Sequence, residues 1–146
     1  MIIRVWFDGA CGPKNPGGHA GCGFVIKKTV EYFSNDTDII TRQSQYVGFG
    51  PAMSNNVAEY AAVTGAMACL IGAKLHNEET IFYGDSQLVI MQMKGEWKAK
   101  KGLYLPWHKA AQRLLEKFEN CEFIWIPREQ NEEADELSKK AIKEYL

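Results

Sequence analysis

Long apolar runs are missing from this 146-residue chain, and no window approaches the length of about 20 apolar residues that a membrane-spanning helix needs. Charge of one sign is missing too. Lys and Arg number 17 against 18 Asp and Glu, a net charge of −1. No whole-molecule field therefore draws the chain to a polyanion, and any such contact must come from a local basic patch. Cysteine pairing is also absent: Cys11, Cys22, Cys69 and Cys121 show no CxxC or zinc-ligand spacing. That excludes a zinc ribbon and a disulfide framework, and predicts a reduced, cytoplasmic chain. His19, His76 and His108 show no ligand spacing either and receive no role. The apolar run at the start is too short for a signal peptide and lacks its flanks. No repeat, long linker or low-complexity segment divides the sequence, so residues 1–146 are expected to form a single soluble domain.

What is present is ordinary globular composition, with 46% hydrophobic and 24% charged residues, enough to bury a core. Ile2–Phe7 is a dense apolar run ending in Asp8-Gly9, and reads as a central strand. Residues 20–34 and 42–50 read as two further strands, with "SNDTD" supplying a turn between them, so the three form an antiparallel meander. A helix is predicted from Ser54 to Ala73, entered through Ser and Asn residues and closed near Gly72. Its Ala58, Ala61, Ala62, Gly65, Cys69 and Gly72 form a small-residue face suited to a sheet. Ile81–Gly84 reads as a short strand, "QLVIMQM" as a short helix and "KGEWKAKKG" as a basic connector. Helix over 106–119, strand over 122–126 and helix over 131–145 complete the chain. Alternation of strand and helix after residue 50 implies parallel pairing in that half. The expected fold class is α/β, with a mixed sheet.

Four carboxylates stand where they could do chemistry, and each also has a structural explanation. Asp8 and Asp85 close strands, where Asp forms Asx turns or caps helices. Such strand ends are also where α/β folds place their sites. Glu59 could complete a capping box with Asn56, yet it heads the stripe Ala62, Val63, Ala66 and Leu70. A carboxylate on that side needs a partner, and no Lys or Arg lies nearby in sequence. Asp135 favours the start of the last helix through the helix dipole, and shares a face with Asn131 and Ser138. If the four meet at one sheet edge they repel one another unless cations neutralise them. Hard oxygen ligands with little His or Cys select Mg²⁺ or Mn²⁺, the set used in pairs for phosphoryl transfer.

Four blocks carry these residues: "FDGACGPKNPGGHAGCGFVI", "SNNVAEYAAV", "YGDSQLVIMQMKGEW" and "IPREQNEEADELSKKA". Together, and in this order, they resemble the motifs of a type 1 ribonuclease H over essentially the whole chain. The resemblance implies a ribonuclease H-like fold, a five-stranded mixed sheet flanked by helices on both faces. It implies cleavage of the RNA strand in RNA·DNA hybrids, leaving a 5′-phosphate and a 3′-hydroxyl, in primer and R-loop removal. Asp8, Glu59, Asp85 and Asp135 would bind two Mg²⁺ ions, which Mn²⁺ could replace, with Asp8 bridging. Glu59 would also sense the 2′-hydroxyl. Gly9, Cys11 and Gly12 would present loop backbone to ribose, and Gln87 would reach the minor groove. Asn15, Ser54, Asn55, Asn56, Ser86 and Asn131 would add nucleic-acid contacts, of which Ser54, Asn55 and Asn56 also read as plain caps.

Two features depart from the family pattern. The loop before the final Asp is short and holds no His, leaving Arg128 as the residue able to contact a departing phosphate. In place of a long basic protrusion stands "MKGEWKAKKG", whose Lys94, Lys98, Lys100 and Lys101 with Trp97 suit a basic-aromatic contact or a merely soluble connector. No separate hybrid-binding domain is expected, and the chain is expected to act as a free-standing monomer without a membrane. The rival classes are a proofreading exonuclease, a non-catalytic hybrid or double-stranded RNA binding module, and a domain of a reverse transcriptase. An exonuclease needs D-x-E on the first strand, where Asp8-Gly9-Ala10 stands. A pure binder has no need of four mutually repelling acids.

Overall fold

A computed structural model describes residues 1–29 and 37–146. The first three strands are β1 (Ile2–Gly12), β2 (His19–Thr29) and β3 (Thr37–Phe49), paired antiparallel in sequence order. The expected turn at "SNDTD" falls largely on residues 30–36, outside the described residues, as does the end of the second predicted strand; β3 already begins at Thr37. Helix α1 (Asn55–Gly72) follows, then β4 (Glu79–Gly84), α2 (Gln87–Met93), α3 (Leu105–Leu115), β5 (Cys121–Trp125) and α4 (Glu132–Tyr145). Strand β4 lies parallel to β1, and β5 parallel to β4. The sheet order β3-β2-β1-β4-β5 puts β1 at the centre. This is the five-stranded mixed sheet expected.

The two faces can be told apart along β2, because successive strand residues point to opposite sides. A Cβ added at Gly23 would lie 2.5 Å from Leu137 Cβ on α4, while Phe24 packs against Gly65 of α1. Helix α1 thus covers one face and α4 the other. Most of the buried core lies on the α1 face, where Val5, Phe7, Phe24, Phe82 and Met67 are sealed together.

Three local expectations change. Strand β1 does not stop at Phe7 but runs on to Gly12, five residues beyond it, still paired with β2. Its parallel pairing with β4 ends at Trp6 and Tyr83, so Asp8 stands inside a strand but just past the end of its neighbour. The close approach of α1 explains why Gly follows: a Cβ at residue 9 would come within 2.2 Å of the Ala58 backbone. The small-residue face of α1 is also wider than periodicity suggests, since every residue from Val57 to Val63 is buried. Gly72 has nothing within 4 Å of its would-be Cβ and so takes no part in that packing. Finally, α3 ends at Leu115 rather than at residue 119, because Phe118 turns inward to meet Phe82 edge-on at 5.8 Å. Burying that ring outweighs one more turn of exposed helix.

Candidate active site

The carboxylates arrive from different elements. Asp8 comes from the overhanging part of β1, Glu59 from the second turn of α1, and Asp85 from the residue after β4. One ligand oxygen from each lies within 4.8 Å of the others. Asp8 is 3% exposed and Glu59 6%. Burial pushes the Asp8 carboxyl up to about 7; its hydrogen bond with Glu59 acts the other way, and Asp85 and Asp135 add to the rise. Glu59 lies well above its ordinary value, first through burial and then through the charge of Asp8. The Gly9 N–H gives Asp8 some backbone relief, donating to its Oδ1 at 2.9 Å. Glu59 Oε2 is buried and has no hydrogen-bond partner among the described residues.

Asp135 lines the same pocket, of about 490 Å³, but its Oδ2 accepts from Lys139 Nζ at 2.9 Å. Lys139 was not foreseen from the sequence; its place four residues beyond Asp135 on a helix is the signal that could have found it. Arg128 also lines the pocket, from a 3-10 turn over Arg128–Gln130 that leads into α4. With Lys139 it is one of two cations at the pocket wall, and among the described residues neither forms an ion pair with Asp8, Glu59 or Asp85.

Around this group the predicted contact residues take different places. Gly9, Cys11, Asn55, Asn56 and Ser86 line the pocket. Asn55 Oδ1 accepts from Cys11 N at 2.9 Å while its own N–H donates to Asn15 Oδ1, tying the strand overhang, the β1–β2 loop and the start of α1 together. Ser54 and Ser86 act as N-caps, accepting from Val57 N and Val89 N. Gly12, Gln87, Lys94, Trp97 and Lys98 lie outside the pocket wall. Asn131 differs from the contact expected of it. It is 2% exposed and its Nδ2 donates to both Phe7 O and Asp85 Oδ2, at 2.9 and 3.0 Å. That makes it a strut between β1 and Asp85 rather than a surface donor.

The donor set fits a hard divalent cation. Among the described residues no Lys or Arg pairs with the three converging carboxylates, and one buried carboxylate oxygen, Glu59 Oε2, is left unpartnered, which is costly unless a positive charge occupies the gap. A larger pocket, of about 570 Å³, lies along β5 and α2, but it is lined mainly by apolar side chains such as Phe118, Phe123 and Ile124 and lacks any such convergence. Volume does not mark the chemistry here; unsatisfied charge does.

A family model described as reverse transcriptase-like matches residues 7–141. Ribonuclease HI of Halobacterium salinarum is 31% identical over 140 residues, which make up 96% of this chain and 64% of that protein. A bifunctional protein of Mycobacterium tuberculosis is 30% identical over 142 residues, 97% of this chain and 36% of that protein. The chain therefore spans little more than a third of the mycobacterial relative and under two thirds of the halobacterial one. Among solved structures, LC11-RNase H1 in complex with an RNA/DNA hybrid, from compost, aligns with a TM-score of 0.81 at 33% identity over 98% of each chain.

Proposed function

This chain belongs to the reverse transcriptase-like family and, within it, to the type 1 ribonucleases H, and we propose that it hydrolyses the RNA strand of RNA·DNA hybrids. The observation that carries this reading is the convergence of Asp8, Glu59 and Asp85 within 4.8 Å, with Glu59 Oε2 unpartnered. Asp8, Glu59, Asp85 and Asp135 would hold divalent cations, two Mg²⁺ ions by preference and Mn²⁺ in their place. The chemistry such ions would supply there is activation of water and stabilisation of the leaving 3′ oxygen, giving 5′-phosphate and 3′-hydroxyl ends.

The chain's own residues do the rest. Asn131 keeps Asp85 aimed at Asp8, and Lys139 holds Asp135 at the pocket wall. Backbone at Gly9, Cys11 and Gly12 faces the ribose, and Glu59 recognises the 2′-hydroxyl that distinguishes RNA from DNA. Asn15, Asn55 and Asn56 form one linked group at the start of α1, where backbone N–H groups favour phosphate. Ser54, Ser86 and Gln87 extend the contact at the two helix entrances. Arg128 meets the departing phosphate, and Lys94, Trp97 and Lys98 meet the DNA strand. Residues 1–146 act as one catalytic domain, a cytoplasmic monomer. All four cysteines are unpaired, as a reducing compartment would leave them.

The test is cleavage of an RNA-labelled hybrid with Mg²⁺, with Mn²⁺ and with neither, beside Asp8→Asn. Wild type should cut with metal only, and Asp8→Asn should not cut. An intact RNA strand with both metals would overturn the hydrolytic reading and leave a binding module. For Arg128→Ala, steady-state turnover should fall while single-turnover cleavage persists.

A further inference from the structure

We propose that Gln92 is a positioning residue for hybrid binding: through a directed chain of hydrogen bonds it fixes the lysine connector relative to α1, the helix that carries Glu59. The inference rests on the reading of the connector as a DNA-strand contact. Gln92 sits in the apolar helix α2 and is 2% exposed, a place where an amide survives only if its polar atoms are paired. Its Nε2 lies 3.0 Å from Tyr104 Oη and 3.5 Å from Lys98 O, and its Oε1 accepts from Tyr60 Oη at 2.6 Å. Tyr60 Oη in turn lies 3.0 Å from His108 Nδ1.

The protons in this chain have one consistent arrangement. Lys98 O is a carbonyl and can only accept, so the amide nitrogen of Gln92 must face it. The amide oxygen then faces Tyr60, whose single hydroxyl proton is used on it. His108 must therefore carry its proton on Nδ1 and donate to Tyr60. The chain runs from α3 through α1 and α2 and ends on the connector.

Its end point is what gives it a function. Backbone N–H groups of Gly95, Glu96 and Trp97 are tied to the last turn of α2. Beyond them, among the described residues, the contact from Gln92 is the one hydrogen bond recorded for the backbone of Lys98–Lys101. Lys98, Lys100 and Lys101 are exposed and have no carboxylate within ion-pair distance among the described residues, whereas Lys94 pairs with Glu96. Three free cations on a segment with one internal tie gain affinity if that tie limits their freedom before binding. Because Tyr60 is the neighbour of Glu59, the tie also sets the lysines in register with the carboxylates.

The test measures hybrid binding by fluorescence anisotropy in EDTA, beside steady-state cleavage, for wild type, Gln92→Leu, a Lys98/Lys100/Lys101 triple alanine variant and the combination. Gln92→Leu should weaken binding about fivefold, the effect of one net hydrogen bond, raising KM with kcat unchanged. In the triple alanine background the same substitution should change nothing, since the groups it positions are gone. An equal loss in both backgrounds, or no loss in the first, overturns the proposal. Should Gln92→Leu fold poorly, Tyr60→Phe replaces it, since it cuts the same chain where it joins α1. The tautomer of His108, read from its ring nitrogen shifts in wild type, is an independent check, and a proton on Nε2 overturns the chain. Wild type that binds without cutting sinks the hydrolytic reading alone. Cleavage with variants equal to wild type sinks this inference alone, and absence of binding sinks both.

Discussion

Two polar clusters lie buried on either side of α1's first turns, and they are built on opposite terms. Around Glu59, Asp8 and Asp85, like charges are crowded together and an oxygen is left without a partner. Around Tyr60, one residue further along, Gln92, Tyr104 and His108 satisfy one another. The first cluster is unstable in itself and is completed only by something from outside; the second is closed. A buried polar group by itself therefore says little about function. The balance of its partners does.

The sharpest break of this contrast is Asp8→Asn. Cleavage should fall by roughly a thousandfold or more, the loss expected when a cation-binding carboxylate that stabilises transition-state charge is removed. Yet the metal-free variant should melt higher than metal-free wild type, because one of the repelling charges is gone. A lower melting temperature would show that the cluster is not strained.

Next in size is the pH dependence of the metal-free protein. Asp8 is raised from 3.8 to about 7, so the fold binds its proton more tightly than the unfolded chain does. Its stability contribution is full below 3.8 and is lost as the pH rises toward about 7. Denaturant titrations across that window should show wild type losing stability relative to Asp8→Asn. Saturating Mg²⁺ should flatten the difference, since a cation favours the charged form. Equal profiles without metal would remove the electrostatic account.

On the closed side, Tyr60→Phe should destabilise by about 1–3 kcal/mol, because Gln92 Oε1 and His108 Nδ1 lose their partner. That is the opposite sign from Asp8→Asn, and denaturant melts of the two variants test it directly. The smallest effect is expected of Lys139→Ala. The Lys139–Asp135 pair is largely open to solvent at the lysine, so its loss should change stability by less than about 0.5 kcal/mol. A larger drop would show that Lys139 balances the whole carboxylate group and not Asp135 alone.

Much of the fold is legible in the chain because its signals are local. Ser54 before α1, the apolar runs of β1 and β4, and the period of α4 are each read within a few neighbouring residues. Element ends are less legible where a distant partner sets them. Strand β1 overruns because β2 continues beside it, and α3 stops early because Phe118 finds Phe82 across the core. The carboxylates were visible as candidates at strand ends and a helix start, but Lys139 and Asn131 took their meaning from what stands opposite them in space. His108, which has no ligand spacing and no role in sequence, acquires a hydrogen-bonding role only where α3 crosses α1.

By itself, then, the sequence determined the kinds of elements, their order, and the acids available for chemistry, since backbone preference and apolar periodicity act over a turn or a strand. The tertiary structure decided that three of the four acids, Asp8, Glu59 and Asp85, share one small volume while Asp135 pairs with Lys139 and Gln92 is sealed among partners. Those outcomes depend on the sheet order β3-β2-β1-β4-β5, which brings β4 beside β1 across more than seventy residues of chain. The same burial that leaves one carboxylate oxygen unpaired closes the amide of Gln92 into its chain, and no local pattern distinguishes the two.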